Sequence, residues 1–281
     1  MRRLTLTWLA ASILLTITCV QAAEVPLSIS WKDDWLTIRG SRLGSTEIRV
    51  HYLEAYCRAG SHGRAWDKTV IPHKARLVES PTGGQKLMVE DTLADGVIVR
   101  HEITADADSV TFAVTATNPT SKSSEAVWAQ PCVRVGPFTG NADQAGTNYL
   151  PKCFVFLDGK LTRMPTPNWA TQAMYTPGQV WAAPGVGPDD VNPRPLNAAT
   201  PTSGLIGCYS ADEKTIFATA WEPYQELFQG VASCLHSDFR IGGLKAGETK
   251  KIRGKIYLVK GDVRQLIERY ERDFPEQVNR K

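Results

Sequence analysis

Short runs of β-forming residues, separated at close intervals by turn residues, constrain the fold of this 281-residue chain more than any other feature. Three successive runs, at 85–92, 96–104 and 109–117, are joined through Asp95-Gly96 and Ala107-Asp108. Connections this short join antiparallel strands, so the pattern predicts a meander. Further strands are predicted at 27–31, 35–39, 46–57, 125–135, 204–210, 215–221, 234–243 and 250–259.

One helix is predicted, close to the C-terminal end. Asp262 and Gln265 have the spacing of a capping box, and Leu266 and Tyr270 follow at helical spacing. Many short antiparallel strands with a single terminal helix indicate an all-β fold, either a sandwich or a barrel. Our prediction is one large antiparallel β-sandwich domain spanning residues 24–281, with a C-terminal helix.

The segment 137–203 does not follow the strand pattern. It contains ten of the chain's 17 prolines, together with Trp169, Tyr175 and Trp181. Irregular segments of this length are usually functional or disordered, and the aromatic residues argue against disorder. We therefore expect a loop excursion that lies against a sheet, either as a lid over a site or as a structural wrap, with a short strand at 152–157.

The N-terminal residues predict export. Two arginines precede a short apolar run at 8–20, and small residues that end in Ala22-Ala23 follow it. This is the order of a signal peptide, so we expect residues 1–23 to be removed, with cleavage after Ala22 or Ala23. The mature protein is then secreted or periplasmic. Five cysteines remain in it, an odd number, so at least one thiol has no disulfide partner within the chain.

Charge and hydropathy exclude several classes of partner. The net charge is +3, and it is about +1 without residues 1–23. There is no run of five or more Lys or Arg, so neither nucleic acid nor an anionic membrane is an expected partner. After residue 23, no run reaches the ~20 apolar residues that a membrane-spanning helix needs. These features do not specify an oligomeric state.

The run 234–243, CLHSDFRIGG, has two different faces if it is a strand. Side chains alternate across a strand, so Cys234, His236, Asp238 and Arg240 share one face, opposite a mainly apolar one. A titratable face of this kind is either solvated or part of a site. We take His236 as a candidate catalytic acid or base, and Asp238 and Arg240 as candidate substrate-binding residues.

The run 125–135 offers a second polar face. Trp128, Gln130 and Arg134 lie on it as candidate substrate-binding residues, and they alternate with apolar positions. Pro131 lacks an N–H group, so this strand is expected at a sheet edge or beside a bulge.

A third polar face follows the strand at 215–221, in the sequence EPYQE that ends at Glu226. Glu222 or Glu226 is the candidate catalytic partner of His236, and Tyr224 is a candidate substrate-binding residue. Aromatic faces can stack on a pyranose, and a carboxylate with an imidazole can exchange protons with sugar oxygens. If the three faces converge, they suit a sugar or uronic acid. The alternative is that the aromatic residues are core residues and the charged ones form ion pairs.

A loop at 58–64 is a further candidate for binding an anionic sugar. Arg58 and His62 supply its donors, and the alternative is a solvated loop. For a metal, the sequence contains no C-x-x-C pair, and two neighbouring ligands such as His236 and Asp238 are not a site. No metal and no cofactor is therefore predicted.

The order of these elements resembles the galactose mutarotase-like superfamily, β-supersandwich proteins that include aldose 1-epimerases and domains of polysaccharide lyases. The resemblance is one of layout over nearly all of the chain after residue 23. It is carried by DTLADGVIVRHEITADADSVTFAVTATNPT, WAQPCVRV, the long excursion, and LKAGETKKIRGKIYLV before the final helix. The chain also resembles secreted bacterial proteins of no established activity that share EPYQELFQG and CLHSDFRIGG.

The resemblance implies a supersandwich fold. The epimerases of this superfamily use a histidine acid and a glutamate base across a sugar ring, roles for which His236 and Glu222 or Glu226 are our candidates. We therefore expect an enzyme acting at a sugar carbon by epimerisation, lyase chemistry or hydrolysis. Two alternatives stay open: a non-catalytic glycan-binding module and a structural envelope protein.

Overall fold

The structure is a computed structural model that describes residues 26–141, 146–169, 178–192, 195–230 and 232–278. The expected signal peptide lies outside these residues. The strands are β1 (Ser28–Lys32), β2 (Trp35–Arg39), β3 (Ile48–Cys57), β4 (Val70–Ile71), β5 (His73–Glu79), β6 (Lys86–Leu93), β7 (Ile98–Ala105), β8 (Ser109–Thr117), β9 (Trp128–Arg134), β10 (Cys153–Leu157), β11 (Lys160–Arg163), β12 (Gly178–Ala182), β13 (Pro201–Tyr209), β14 (Thr215–Glu222), β15 (Tyr224–Gly230), β16 (Cys234–Arg240) and β17 (Thr249–Lys260). The helices are α1 (Trp66–Thr69), α2 (Gly136–Thr139), α3 (Val263–Asp273) and α4 (Pro275–Val278), with 3-10 turns at Ser41–Leu43, Leu150–Lys152 and Pro188–Asp190.

The strands form two antiparallel sheets that pack face to face. Sheet A has eight strands, in the order β1-β2-β3-β9-β16-β15-β12, with β4 paired to β3. Sheet B has nine, in the order β11-β10-β13-β14-β17-β8-β7-β6-β5. The expected meander is the neighbouring set β6, β7 and β8. The all-β sandwich prediction is confirmed.

The main apolar core lies between the sheets. Alternation supplies it, because every second residue of a strand points inward. In β16, Leu235 and Phe239 face this core, and Phe239 packs on Trp221 of sheet B with ring centroids 4.7 Å apart. Burying one such side chain stabilises the fold by about 1.5–3 kcal/mol. His236 and Asp238 therefore point away from the core, to the outer face of sheet A.

A buried polar network also joins the two sheets. The Tyr56 hydroxyl on β3 donates to Oδ2 of Asp91 on β6 at 2.5 Å, and it lies 3.0 Å from Nε2 of His101 on β7. The Tyr52 hydroxyl lies 2.8 Å from Nδ1 of the same ring. All four side chains are buried, and burial followed by the charge of Asp91 raises the pKa of Tyr56. The network ties sheet A to sheet B within the core.

The C-terminal helix prediction is confirmed. The Asp262 carboxylate caps α3 by accepting a hydrogen bond from the backbone N–H of Arg264 at 2.9 Å. The helix buries Leu266 and Tyr270 against the outer face of sheet B. Within the described ranges, no helix is long and apolar enough to cross a membrane.

The excursion is more ordered than the sequence suggests. Its described parts add β10 and β11 at one edge of sheet B and β12 at one edge of sheet A. Residues 183–192, which we call the strap, connect β12 to the rest of the excursion. Val191 of the strap packs with Val180, Cys132 and Phe228, which lie on or against the outer face of sheet A. The excursion is thus a wrap that also covers one sheet face.

Pro131 does not lie on an edge strand. Strand β9 is in the interior of sheet A, between β3 and β16. Instead, β3 accommodates Pro131 by a register shift, because it bulges between His51 and Ala55 opposite the proline. Of the two expectations for this strand, the structure contains the bulge.

Candidate functional site

The register of sheet A brings polar residues of three strands into rows on its outer face. Glu226 on β15 stands directly opposite Asp238 on β16. On the other side of β16, the β9 register sets Asp238 level with Gln130. The adjacent row, two residues along, contains Phe228, His236 and Cys132. The polar faces at 125–135 and 234–243 therefore meet on one surface.

A bulge in β15 adds a further polar side chain to this face. The pairing with β16 shifts between Tyr224 and Glu226, so Gln225 is the extra residue. Gln225 and Glu226 both point outward as a result. The Gln225 side chain accepts a hydrogen bond from Arg240 and donates one to the backbone oxygen of Asp190 at 2.6 Å.

The centre of the site is a buried group of three titratable side chains, Glu226, His236 and Asp238. Each is at most 1% exposed. The Nδ1 atom of His236 lies 3.4 Å from Oδ1 of Asp238. Within the described part of the chain, Oε1 of Glu226, both carboxylate oxygens of Asp238 and both ring nitrogens of His236 have no hydrogen-bond partner.

The three side chains of this group differ in their pKa values. Burial and the neighbouring Asp238 charge raise the pKa of Glu226 well above its usual range. Burial also raises the pKa of Asp238, but contact with His236 limits the rise to about 6. For His236, burial alone would lower the pKa, and the negative Cys234 and Asp238 outweigh it and raise the pKa to about 10. Near neutral pH, the geometry favours a neutral Glu226 beside an ionised Asp238 and a cationic His236.

The strap covers this group with hydrogen bonds from Asn192. Its backbone N–H donates to Oε2 of Glu226 at 2.8 Å, and its side-chain amide donates to Oε1 of Gln130 at 3.2 Å. Gln130 in turn donates to Oε2 of Glu54 on β3 at 2.8 Å. Burial opposes ionisation of Glu54, but contacts with His51, His236 and Gln130 lower its pKa to about 2. A continuous polar row thus runs from Glu226 to Glu54.

Asp190, two residues before Asn192, anchors the strap through two hydrogen bonds of its side chain. Its carboxylate accepts from Arg240 at 3.1 Å and from the backbone N–H of Gly60 at 3.1 Å. The Ser61 hydroxyl donates to the backbone oxygen of Val191 at 2.8 Å. Arg240 is therefore a residue of the site, and its guanidinium binds Asp190 of the strap.

Two residues of β9 that were predicted to bind substrate lie on the outer face of sheet A, but both are engaged by other parts of the protein. Trp128 is fully buried and packs on Trp66, with ring centroids 6.5 Å apart, so it cannot stack on a ligand in this conformation. Arg134 donates to the backbone oxygen of Ala232 at 3.0 Å. Burial opposes its charge, but electrostatic coupling to the Cys132 and Cys234 thiols raises the pKa of Arg134.

Glu222 is not part of this group, which corrects its candidate role as the partner of His236. It ends β14 in sheet B, and its carboxylate accepts from the side chain of Gln277 at 2.6 Å. Tyr224 faces inward because of the β15 bulge, and with Gln277 it lines a separate cavity of about 260 Å³. A proline and a bulge between Glu222 and Glu226 break the simple alternation on which the prediction relied.

The loop at 58–64 has a structural role toward the strap. Arg58 donates to Glu125 at 3.1 Å and to the backbone oxygen of Val70 at 2.8 Å, so its guanidinium is already engaged. The backbone N–H of His62 donates to the backbone oxygen of Asp189 at 3.2 Å. Neither side chain reaches the buried group through a described contact.

Sequence reasoning missed Glu54, Asn192 and Gln225. Gln225 and Glu54 lie at or beside bulges, where alternation does not predict the face. Asn192 lies in the irregular excursion, which carries no periodic signal. Of the three, only Gln225 has a sequence signal, since it follows Pro223 by two residues and a proline within a strand pattern indicates an edge or a bulge.

Comparisons with known proteins give likeness of fold. No family model matches the chain, and no curated protein matches it. A proposed aldose 1-epimerase from Escherichia coli K12 is similar, with 10% identity, a TM-score of 0.46 and coverage of 83% of this chain and 99% of that one. A galactose mutarotase-like protein from Clostridium acetobutylicum has 11% identity, a TM-score of 0.42 and coverage of 81% and 86%. An alpha-mannosidase from Enterococcus faecalis V583 has 8% identity, a TM-score of 0.49 and coverage of 90% and 30%.

At such identities the likeness concerns the fold alone. The roles of individual residues follow from the geometry of this chain.

Proposed function

We propose that the chain binds a sugar or uronic acid at the outer face of sheet A and transfers protons at one of its atoms through Glu226 and Asp238. The observation that carries this proposal is the set of five buried polar atoms without partners on Glu226, Asp238 and His236. Buried polar atoms are nearly always hydrogen-bonded, so such a concentration indicates a place for a polar ligand or ordered water. Sugar hydroxyls, which both donate and accept, match this mixed set.

The paired carboxyl groups supply an acid and a base to the proposed reaction. Glu226 holds a proton that it can donate, and Asp238 is ionised and can accept one. Epimerisation, elimination and hydrolysis at a sugar carbon each need such a pair. His236 lies beside Asp238 and favours its ionised form, so in this proposal it is the orienting residue of the pair.

Access to the pair requires the strap to move. Asn192 donates to Glu226 and to Gln130, and these are the hydrogen bonds that ligand hydroxyls would make. Moving the strap also separates Asp190 from Arg240. The released guanidinium can bind a carboxylate in a bidentate manner, which favours a uronic acid over a neutral sugar.

The test is a thermal-shift screen of the purified protein against neutral sugars and uronic acids, followed by NMR detection of turnover. A ligand at about 100 times its Kd stabilises by ~2.7 kcal/mol. This corresponds to a rise in Tm of roughly 5–10 °C for a chain of this size. Glu226→Gln should keep the shift and lose about 100-fold or more of any turnover, whereas Glu222→Gln should keep both.

A second candidate function is a non-catalytic one, as a glycan-binding or structural envelope protein. The observation that favours it is the burial of the whole group beneath the strap. A thermal shift without product would support glycan binding. No shift with any sugar, uronic acid or oligosaccharide would support the structural role and reject the enzymatic one.

We also propose that the protein is exported as a single domain of residues 24–281. The basic, apolar and small-residue order of residues 1–23 supports this. N-terminal sequencing of the protein recovered from its producing cells should begin at Ala23 or Glu24. A chain that retains Met1 and stays in the cytoplasm would reject it.

A further inference from the structure

Two cysteines and a histidine form a compact buried triad on the outer face of sheet A. Cys234 and His236 are two residues apart on β16 and so share a face, and the β9 register sets Cys132 level with His236. One ligand atom from each side chain lies within 4.8 Å of the other two. All three residues are at most 4% exposed. The triad is compact because one strand supplies neighbours on the same face and the next strand supplies the residue opposite.

We propose that Cys132, Cys234 and His236 bind one zinc-class metal ion through two thiolates and one imidazole. A tetrahedral zinc ion, with Zn–S bonds of about 2.3 Å and Zn–N bonds of about 2.0 Å, separates its ligand atoms by about 3.5–3.8 Å. The three ligand atoms already lie within 4.8 Å of one another, close to that spacing. Two thiolates with one imidazole are a known set for zinc, and thiolates exclude hard ions such as magnesium or calcium.

A second observation points to a ligand at the triad. Both ring nitrogens of His236 are buried without a hydrogen-bond partner among the described residues. A buried imidazole normally has at least one partner, and a metal bond would supply it. The Asp238 carboxylate, 3.4 Å from Nδ1, lies where a carboxylate commonly fixes the orientation of a metal-bound histidine.

The register argues against a disulfide as the alternative use of the two cysteines. Cys234 stands opposite Arg134, so Cys132 is its diagonal neighbour. Diagonal neighbours in a sheet have Cα atoms about 7–8 Å apart, beyond the usual range of a disulfide. In contrast, Cys153 on β10 stands directly opposite Cys208 on β13. The chain thus contains one cysteine pair placed for a disulfide and another placed with a histidine.

The metal proposal goes beyond the proposed function and shares the ring nitrogens of His236 with it. It takes His236 as a ligand and leaves Glu226 and Asp238 as the proton-transferring pair. It also replaces the prediction, made from the spacing of cysteines and histidines in the sequence, that no metal binds. The three ligands come from two strands about a hundred residues apart in sequence, so no short motif could reveal them.

The test is titration of the purified, fully reduced and chelator-treated protein with Co²⁺, and metal analysis of the untreated protein. We expect one Co²⁺ per chain, with the intense thiolate-to-cobalt absorption and the visible bands of tetrahedral coordination. Zinc should displace the cobalt. Cys132→Ser, Cys234→Ser and His236→Asn should each weaken binding by about 100-fold or more. Asp238→Asn should weaken it by about 10–100-fold.

Cys153→Ser is the matched control, since it removes a buried thiol outside the triad and should retain the cobalt spectrum. Folding of each variant is checked by circular dichroism. The wild-type titration decides the proposal even if a variant does not fold. A folded, reduced wild-type protein without stoichiometric Co²⁺ binding would overturn it. A cobalt spectrum that survives in folded triad variants, or a Cys132–Cys234 disulfide in the isolated protein, would also overturn it.

Discussion

Glu226 and Asp238 stand directly opposite each other on neighbouring strands, and neither side chain contacts solvent. Two carboxylates in such a position cannot both ionise without a large cost, because each charge opposes the other and burial opposes both. The pKa of Glu226 is raised well above its usual range and that of Asp238 to about 6. The pair therefore carries a proton, on Glu226, even before a ligand binds.

Glu226→Gln should stabilise the protein at alkaline pH. A carboxyl group with a raised pKa contributes stability below its unfolded pKa, and that contribution is lost as the pH rises toward the folded pKa. Glutamine mimics the protonated acid and keeps an acceptor for Asn192. We expect the free energy of unfolding at pH 8 to rise by about 2 kcal/mol or more, with little change at pH 4. Urea unfolding at both pH values measures this, and destabilisation that grows with pH would contradict it.

Asp190→Asn should loosen the strap without unfolding the sandwich. The substitution removes the ion pair with Arg240, whose side chains are only partly exposed. We expect hydrogen exchange of the backbone amides near Asn192 to accelerate about 10-fold, since a charged hydrogen bond contributes about 1.5–3 kcal/mol. Asp189→Asn is the control, because Asp189 makes its described contact through its backbone oxygen. Equal exchange rates in the two variants would show that this ion pair does not hold the strap.

The sequence predicts the sandwich well because its signals are local. Alternation and turn residues predicted the meander, β9 and β16, and a capping residue with helical spacing predicted α3. The faces of β9 and β16 were also correct, so Gln130, His236 and Asp238 do share one surface. Strand β5 was missed because it lies at a sheet edge with most of its side chains exposed and carries no apolar alternation.

The site was predicted only in part, because bulges and register are not local. A single bulge in β15 sends Glu226 outward and Tyr224 inward, although two residues separated by one would share a face in a regular strand. Register alone brings Cys132 beside His236. The strap covers the face through contacts of Asp190 and Asn192 that no pattern in the excursion announces. Local periodicity therefore predicts the sheet face on which a side chain lies. It predicts neither the neighbours of that side chain on adjacent strands nor the strap that covers them.

Tyr56→Phe should weaken the polar link between the sheets. It removes the 2.5 Å donor to the buried Asp91, which then keeps only its 3.1 Å contact with Nε2 of His101, and a hydrogen bond to a buried charged group contributes about 1.5–3 kcal/mol. We expect the free energy of unfolding to fall by about 2–3 kcal/mol. Tyr52→Phe is the comparison, since its hydroxyl contacts only a ring nitrogen of His101 through a described hydrogen bond, and it should cost about 1 kcal/mol. Equal costs in urea unfolding would reject the central role of Tyr56.

Cys153 and Cys208 should form a disulfide when the protein folds in a glutathione redox buffer. They are directly opposed, and oxidised glutathione accepts the two electrons in two thiol–disulfide exchanges that release two molecules of reduced glutathione. The bond should stabilise the fold by about 2–4 kcal/mol. Peptide mapping without reduction identifies the linkage, with Cys57, Cys132 and Cys234 expected to stay outside any disulfide. Absence of the Cys153–Cys208 linkage after complete folding would contradict the register argument.

Glu54 should make the protein sensitive to acid in a defined range. Its pKa is lowered to about 2 in the folded state, although burial opposes this, because His51, His236 and Gln130 favour the ionised form. A group with a lowered pKa contributes stability above its unfolded value, near 4.5, and that contribution is lost as the pH falls toward 2.

The wild-type protein should therefore lose about 2 kcal/mol more than Glu54→Gln between pH 5 and pH 2, measured by urea unfolding. Glu47→Gln is the control, because it removes an exposed ion pair with Arg39, which contributes at most about 1 kcal/mol. If the wild-type and Glu54→Gln curves stay parallel over this range, Glu54 is not held ionised by the polar row that ends at Glu226. The row would then be a set of independent contacts rather than one electrostatic unit.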